Sequence, residues 1–170
     1  MNFLYPDIYV KNVSAVPYDK LIKRGITTLI FDIDNTLVPF DMPEPDTALV
    51  AFITELKNKG FTVALLSNNN QERVELFNRK LDVIAVYSAK KPNTTGINRV
   101  LDMADAYPSQ TAMIGDQIFT DVLVGNRKGM LTILTRPVEK RDTFGVYLKR
   151  GVERLIVKSF VRKVKQGRAF

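Results

Sequence analysis

An apolar run that ends in two acidic residues constrains the fold of this chain more than any other feature. Residues 29–31 are Leu, Ile and Phe, and Asp32 and Asp34 follow two positions apart. A strand this apolar is typical of the centre of a parallel sheet, whose open form binds ligands at the carboxyl ends of its strands. Two crowded carboxylates repel each other and indicate a cation or a protonation event. The alternative is a strand followed by an Asx turn.

Composition limits the chemistry open to these carboxylates. The 170-residue chain contains neither His nor Cys, which excludes imidazole bases, thiolate nucleophiles and disulfides. Acid and base chemistry must therefore rest on carboxylates, lysines or tyrosines. No apolar run reaches the length of a transmembrane helix, and the first residues lack the basic start and apolar core of a signal peptide. We predict a cytoplasmic protein with a single folded core.

Basic residues are concentrated near the C-terminus. Residues 1–135 hold 14 basic and 15 acidic residues, whereas residues 136–170 hold 11 and 3. A segment this basic predicts an anionic partner, either a membrane surface or nucleic acid, and the alternative is a solvated tail. We divide the chain into an N-terminal arm at 1–26, a core at 27–136 and a basic, helical extension at 137–170.

Apolar strands and amphipathic helices alternate through the core. This alternation predicts repeated βαβ units, and therefore a doubly wound α/β domain with a five-stranded parallel sheet and right-handed crossovers. The N-terminal arm is predicted to be irregular apart from one helical turn near residues 18–23. The predicted strands are the run before Asp32 and residues 61–66, 83–87, 111–114 and 131–134, and the predicted helices are residues 46–59, 71–81, 95–106 and 119–128.

Polar side chains follow the first four predicted strands. Because the carboxyl ends of parallel strands meet at one edge of a sheet, these residues are expected to converge. Carboxylates, a hydroxyl and a lysine, without His or Cys, suit Mg²⁺ better than Zn²⁺, and Mg²⁺ favours phosphate oxygens. The pattern therefore indicates phosphoryl transfer. The residues are Asp32 and Asp34, Ser67 and Asn68, Lys90 and Lys91, and Asp116 and Asp121.

Each of these residues also has a purely structural interpretation. Ser67 is suited to capping the next helix, and Asp116 after a glycine is suited to a turn. Asp121 falls in the first turn of a helix, where an acid stabilises the helix dipole. Lys90 competes with Lys91 for a role at the site. None of these interpretations explains why all the residues stand at successive strand ends.

The same residues resemble the four motifs of the haloacid-dehalogenase (HAD) superfamily of phosphatases. Asp32-Ile33-Asp34-Asn35-Thr36 is similar to the D-x-D-x-T motif, and Ser67 to the second motif. Lys91-Pro92 is similar to the third motif, and Gly115-Asp116 with Asp121 to the fourth. The short chain resembles subfamily IIIA, and within it the phosphatidylglycerophosphatase branch. The resemblance implies a Rossmann-like HAD domain.

Catalytic roles follow from this resemblance. It implies that Asp32 attacks phosphorus and that Asp34 protonates the leaving oxygen, then deprotonates the attacking water. Asp32, Asp116 and the carbonyl of Asp34 would hold Mg²⁺, and Asp121 would orient Lys91 or a water on the metal. Substrate phosphate would be bound by Ser67, Asn68 and Lys91.

The spacing of the motifs leaves no room for a cap domain. Between Asp34 and Ser67 lie 32 residues, and between Ser67 and Lys91 lie 23, each enough for one helix and one strand. An open site favours a large or surface-bound substrate, and we predict phosphatidylglycerophosphate. Other phosphatase substrates remain as alternatives, namely a nucleic-acid end, a phosphoprotein or a sugar phosphate, and so does a non-catalytic phosphate-binding or RNA-binding module. A receiver domain fits less well, because its acidic pair precedes a separate phosphorylated Asp.

The C-terminal extension contains an amphipathic pattern. Between Arg154 and Lys165, five apolar residues fall on one helical face and basic residues occupy the rest. This pattern predicts an interfacial helix on the inner face of an anionic membrane, and the alternative is a helix packed on the sheet. The apolar residues are Ile156, Val157, Phe160, Val161 and Val164.

Overall fold

The structure is a computed structural model that describes residues 3–139 and the helix at 144–165. The first two residues of the predicted arm, and residues 140–143 and 166–170 of the predicted extension, lie outside the described ranges.

One parallel sheet of six strands organises the domain. The strands in chain order are β1 (Ile8–Val10), β2 (Thr28–Phe31), β3 (Thr62–Leu66), β4 (Ile84–Val86), β5 (Thr111–Gly115) and β6 (Leu131–Thr135). Their order across the sheet is β1-β6-β5-β2-β3-β4, and every pair is parallel. The predicted parallel α/β architecture is confirmed.

The predicted count of five strands was wrong. The additional strand, β1, lies in the arm that we expected to be irregular, and Tyr9 pairs with Leu134 of β6 at the edge of the sheet. Its sequence of Ile-Tyr-Val is too short to show a periodic pattern. Its pairing partner is more than a hundred residues away in the sequence, so local reasoning does not reveal the strand. The predicted helical turn in the arm does form.

Helices cover both faces of this sheet. The chain forms α1 (Tyr18–Lys23), α2 (Thr47–Asn58), α3 (Gln71–Asn78), α4 (Thr95–Ala104), a π-helical turn (Ile118–Val122), α5 (Leu123–Arg127) and α6 (Phe144–Lys165), with short 3₁₀ turns at Val13–Ala15 and Pro108–Gln110. None of the helices within residues 3–139 and 144–165 is both long and apolar enough to cross a bilayer.

The central strand β2 shows why the core has two halves. Leu29 and Phe31 pack with the buried residues of α1, α2 and α3 on one face. Ile30 points to the other face and packs with residues of α4 and α5. All three side chains are fully buried. This alternation is what a strand buried on both faces requires, and it holds the carboxyl end of β2 at the middle of the sheet edge.

Helix caps fix where the loops above this edge begin and end. The Asp46 side chain accepts a hydrogen bond from Leu49 N at the start of α2. The Asn70 side chain does the same for Arg73 N at the start of α3, so Asn70, not Ser67, caps this helix. The segment between β2 and β3 contains α2, and the segment between β3 and β4 contains α3.

The C-terminal helix α6 packs on the core. Phe160 is buried, and Ile156 and Val157 contact the cluster formed by Ile118, Val122 and Leu134. Three of the five apolar residues assigned to a membrane face therefore contact protein instead, as the alternative interpretation expected. The helix begins ten residues before the predicted amphipathic stretch.

Candidate active site

The predicted site residues converge at the carboxyl edge of the sheet, beside the point where the strand order reverses. β2 lies between β3 and β5, so later strands are added on both sides of it. Asp32 directly follows β2, and its main-chain N–H is bonded to the carbonyl of Ile114 in β5. Asp116 directly follows β5. The backbone of the sheet thus places these two carboxylates side by side.

A buried lysine connects two of the carboxylates. Lys91 Nζ donates to Asp32 Oδ1 at 2.6 Å and to Asp121 Oδ1 at 2.7 Å. Both bonds are charge-assisted, which makes them stronger than neutral hydrogen bonds. Lys90, by contrast, is exposed and has a left-handed φ of 55°. The fold therefore selects Lys91 as the lysine at the site.

Electrostatic coupling within this group shifts two pKa values. Burial disfavours the ammonium form of Lys91, but Asp121 and Asp32 outweigh burial and raise its pKa above the ordinary value. Burial raises the pKa of Asp121 to about 6, with Lys91 opposing the shift and Asp32 adding to it. The raised pKa keeps Lys91 protonated at neutral pH, in a pocket whose carboxylates repel one another.

Three carboxylates in this pocket form a cluster that fits a divalent cation. Oxygens of Asp32, Asp116 and Asp121 all lie within 4.8 Å of one another, and all three residues are buried. Among these four residues, three carboxylates surround the single positive charge of Lys91. Buried charge of this kind is costly unless a cation neutralises it. The donors are all oxygen, which Mg²⁺ and related hard cations prefer.

Thr36 supports two members of the cluster. Its hydroxyl lies 3.1 Å from Asp32 Oδ2 and 3.3 Å from Asp116 Oδ1, in position to donate to either carboxylate. A hydroxyl has one hydrogen, so it donates to one of them at a time. The last residue of the D-x-D-x-T pattern therefore joins the end of β2 to the end of β5.

Asp34 lies beside this cluster with its side chain held separately. Asn69 Nδ2 donates to Asp34 Oδ2 at 2.7 Å, and Arg73 Nη2 donates to Asp34 Oδ1 at 3.0 Å. Burial raises the pKa of Asp34, while Arg73 and Asn69 act against the shift and Asp32 adds to it. A carboxyl group with a raised pKa in a fixed orientation is suited to giving and taking protons.

Ser67 and Asn68, which follow β3, do not cap the next helix, as the structural interpretation of Ser67 had suggested. Ser67 is buried, and its hydroxyl accepts a hydrogen bond from Asn69 N at 3.1 Å. Asn68 binds the main chain of Lys91 with both ends of its amide. Asn68 thus fixes the backbone from which the Lys91 side chain reaches Asp32.

A glycine makes room for the last carboxylate. A Cβ atom built on Gly115 would overlap the side chain of Asp121. Asp121 also accepts a bond from Gln117 N at 3.1 Å through Oδ2, which closes the turn after β5. Packing therefore explains the glycine at position 115, and the carboxylate cluster explains the Asp at position 116.

Comparison with known proteins now assigns the chain to a family. The model of the family described as mitochondrial PGP phosphatase matches residues 1–139. The chain belongs to the PGP phosphatase family. This family member is 40% identical over 161 residues to the probable phosphatase YqeG of Bacillus subtilis, with 95% of this chain and 94% of that protein covered. The predicted resemblance is confirmed, and the chain is a phosphoric monoester hydrolase.

One further relative and one solved structure extend the comparison. Phosphatidylglycerophosphate phosphatase 1 of Arabidopsis thaliana is 26% identical over 179 residues, which cover 95% of this chain and 49% of that protein. This PGP phosphatase family member thus spans about half the length of the plant relative. A HAD family enzyme from Bacteroides thetaiotaomicron, solved as a magnesium complex, superposes with a TM-score of 0.52 at 15% identity, covering 68% of this chain and 96% of that chain. The fold is therefore the HAD fold.

Three contacts in this family member escaped the sequence analysis. Asn69 and Arg73 were not predicted to hold Asp34, and Glu153 of α6 was not predicted to bond the turn that carries Asp121. Asn69 had a weak signal, since it stands in the Ser-Asn-Asn-Asn run after β3. Arg73 and Glu153 had none, because a charged residue on a helix is usually solvated.

Proposed function

We propose that this phosphatase is a Mg²⁺-dependent enzyme that converts phosphatidylglycerophosphate to phosphatidylglycerol through an aspartyl-phosphate intermediate. The observation that carries the proposal is the buried group of Asp32, Lys91 and Asp121, with Asp116 and Thr36 beside it. This group offers a carboxylate nucleophile, a fixed cation and oxygen ligands at one place. Family membership favours an enzyme over the non-catalytic module considered in the sequence.

In the first step, an oxygen of Asp32 forms a bond to phosphorus while the bond between phosphorus and the glycerol oxygen breaks. Asp34 gives its proton to that leaving oxygen. In the second step, water attacks phosphorus, Asp34 takes a proton from the water, and Asp32 is released as a carboxylate with inorganic phosphate. The fixed position of Asp34, between Asn69 and Arg73, supports both proton transfers.

The phosphate group would be held by side chains already in place. Lys91 faces Asp32 and would neutralise charge on the transferring group. The bond from Asn69 N uses a lone pair of the Ser67 hydroxyl and leaves its hydrogen available to a phosphoryl oxygen. Asn68 would act near the phosphate mainly by fixing the Lys91 backbone.

The metal would be held by the carboxylates of Asp32 and Asp116 and by the main-chain carbonyl of Asp34. Asp121 would keep Lys91 in position and add negative charge to the site. A bound Mg²⁺ would supply positive charge that stabilises the phosphoryl oxygens. The cluster of three buried carboxylates supports this assignment.

Arg73 is expected to contribute to the proton transfers through Asp34. Its guanidinium also donates to the carbonyls of Met42 and Pro43, each at 2.8 Å, and so connects the loop after β2 with Asp34. Changing Arg73 to Gln should lower turnover roughly tenfold to a hundredfold, the range for losing a charge-assisted contact. The loss should be larger for an alkyl phosphate than for 4-nitrophenyl phosphate, whose leaving oxygen needs little protonation.

Arg79 provides the matched control, because it stands at the end of α3 and is exposed. Arg79→Gln should leave both substrates unaffected. Equal losses on the two substrates in the Arg73 variant would mean that Arg73 supports the loop and not the proton donor.

A lipid substrate is supported by the relatives and by the loops around the site. Only α2 lies between β2 and β3, and α3 between β3 and β4, so the described loops offer no cap above the site. The plant relative is named a phosphatidylglycerophosphate phosphatase. We place the enzyme in the cytoplasm, at the inner face of an anionic membrane.

The test is a direct comparison of substrates. Purified protein with Mg²⁺ should hydrolyse phosphatidylglycerophosphate in vesicles with a kcat/KM at least about a hundredfold above that for glycerol 3-phosphate, a sugar phosphate, a phosphopeptide or a nucleic-acid end. A soluble phosphate turned over better than the lipid would replace the proposed substrate and leave the assignment to the phosphatases intact.

A further inference from the structure

We propose that the outer face of α6 is the surface on which this protein docks to an anionic lipid bilayer. We define the docking face by its exposed apolar and basic residues, Val152, Arg154, Leu155, Lys158 and Arg162; the exposed Gly151 and Ser159 lie among them. The inference deepens the proposed function, and rests on its lipid substrate, but its binding test does not require turnover.

The position of α6 relative to the site is fixed by contacts at two points. Near its middle, Glu153 is buried and accepts bonds from Ile118 N at 2.7 Å and Phe119 N at 3.2 Å. These N–H groups open the turn that follows Asp116, so this part of α6 lies at the catalytic edge. Further along, Phe160 packs against Tyr5, with ring centroids 5.9 Å apart.

These contacts give the helix a direction. Tyr5 precedes β1, so it lies at the amino edge of the sheet, opposite the site. The helix therefore runs antiparallel to the strands, from the catalytic edge towards the amino edge. The residues of α6 that precede Glu153 therefore extend beyond the catalytic edge, where Asp116 and Asp121 lie.

The inner and outer faces of α6 differ sharply in composition. Residues advance by roughly 100° along a helix, which places Leu155, Lys158 and Arg162 opposite the buried residues and Val152 and Arg154 at the two flanks of the outer face. The inner face carries Glu153, Ile156, Val157 and Phe160. The outer face carries two apolar and three basic residues and no acidic one. Val152 is 50% exposed and Leu155 is 66% exposed.

Charge distinguishes this face from the exposed apolar residues at and after the end of α4. Met103 and Tyr107 are 59% and 69% exposed, but Asp102 and Asp105 stand beside them at the amino edge. The sequence of α6 contains seven basic residues and one acidic residue, Glu153. The carboxylate of Glu153 is bonded to main-chain N–H groups. A helix surface that combines exposed apolar residues with basic residues is typical of helices that lie in the headgroup region of an anionic bilayer.

A second exposed apolar residue lies at the rim of the site. Val138 is 47% exposed, and its main-chain N–H is bonded to the carbonyl of Asn35 in the D-x-D-x-T segment. It belongs to the chain that links β6 to α6. The rim of the site therefore carries an exposed apolar residue of its own. A bilayer along α6 would bring lipid headgroups to this rim.

The test measures binding to vesicles of phosphatidylglycerol mixed with phosphatidylcholine, with EDTA present. Changing Arg154, Lys158 and Arg162 together to Gln should weaken binding more than about tenfold, since each basic residue near an anionic leaflet contributes severalfold. Leu155→Ser should weaken binding about threefold or more. Hydrolysis of 4-nitrophenyl phosphate should be unchanged in both variants.

Matched controls are available on the opposite edge. Lys20, Lys23 and Arg24 are exposed in and beside α1, and their joint change to Gln removes the same charge. Tyr107→Ser removes an equally exposed apolar side chain. Both control variants should bind vesicles like the wild type.

The outcomes separate this inference from the proposed function. The assignment of the docking face would be overturned if the control variants lost vesicle binding equally, or if the α6 variants retained it. Loss of RNA binding in the α6 variants with vesicle binding retained would also overturn it and assign the face to nucleic acid. If wild-type protein binds vesicles through α6 but does not hydrolyse phosphatidylglycerophosphate, the docking face stands and the proposed substrate fails.

Discussion

Replacing Asp32 with Asn is expected to lower turnover at least about a hundredfold on every substrate, while the protein stays folded. The amide has nearly the same volume but cannot attack phosphorus, and it is a weaker ligand for a hard cation. Folding should survive because Lys91 keeps its 2.7 Å bond to Asp121 and Thr36 keeps a partner in Asp116. Steady-state turnover and thermal unfolding by circular dichroism measure the two effects.

The control for this change is Asp41→Asn. Asp41 is exposed in the loop after β2, so its substitution removes the same charge without entering the site.

Wild-type protein quenched during turnover should also carry phosphate that hydroxylamine releases, as an acyl phosphate does, and the Asp32 variant should not. Turnover above about a hundredth of the wild-type value would contradict the covalent role.

Removing the metal should abolish activity, and so should changing Asp116 to Ala. EDTA should reduce turnover to background, and Mg²⁺ should restore it, because the clustered carboxylates need a divalent cation to receive an anionic substrate. Binding is testable without catalysis. Saturating Mg²⁺ at about a hundred times its Kd should stabilise the wild type by about 2.7 kcal/mol, and this increment should disappear in the Asp116 variant.

Asp102→Ala serves as the control for the loss of a carboxylate. Asp102 is exposed on α4, at the edge of the sheet opposite the site. The variant should keep both the activity and the stabilisation by Mg²⁺. Activity that persists in EDTA, or that only Zn²⁺ restores, would show that the oxygen-ligand assignment is wrong.

The residues of the site could be predicted from the sequence because one structural rule relates their positions along the chain to their positions in the fold. Carboxyl ends of parallel strands share an edge, so Asp32, Ser67, Lys91 and Asp116 were expected together before any coordinates were known. The structure places Asp32, Lys91, Asp116 and Asp121 in one buried group, with Ser67 and Asn68 at the neighbouring strand end. Their chemical roles remain predictions that the variants above test.

Local sequence was a poorer guide where the deciding contact is distant. The choice between Lys90 and Lys91 depends on backbone conformation, since the left-handed Lys90 is exposed and Lys91 is buried. Strand β1 exists because β6 offers it an edge. Arg73 is a typical surface residue by sequence, and only the path of the loop after β2 brings it to Asp34.

The C-terminal helix shows this division most clearly. Its amphipathic pattern follows from the period of the helix, so the sequence alone was enough to predict a helix with one apolar and one basic side. The pattern carries no information on which surface meets the apolar side, because protein cores and lipid bilayers favour the same residues. Tertiary packing settles that question, since Ile156 and Val157 pack against the cluster at the turn that carries Asp121, Phe160 is buried beside Tyr5, and the opposite face is left exposed.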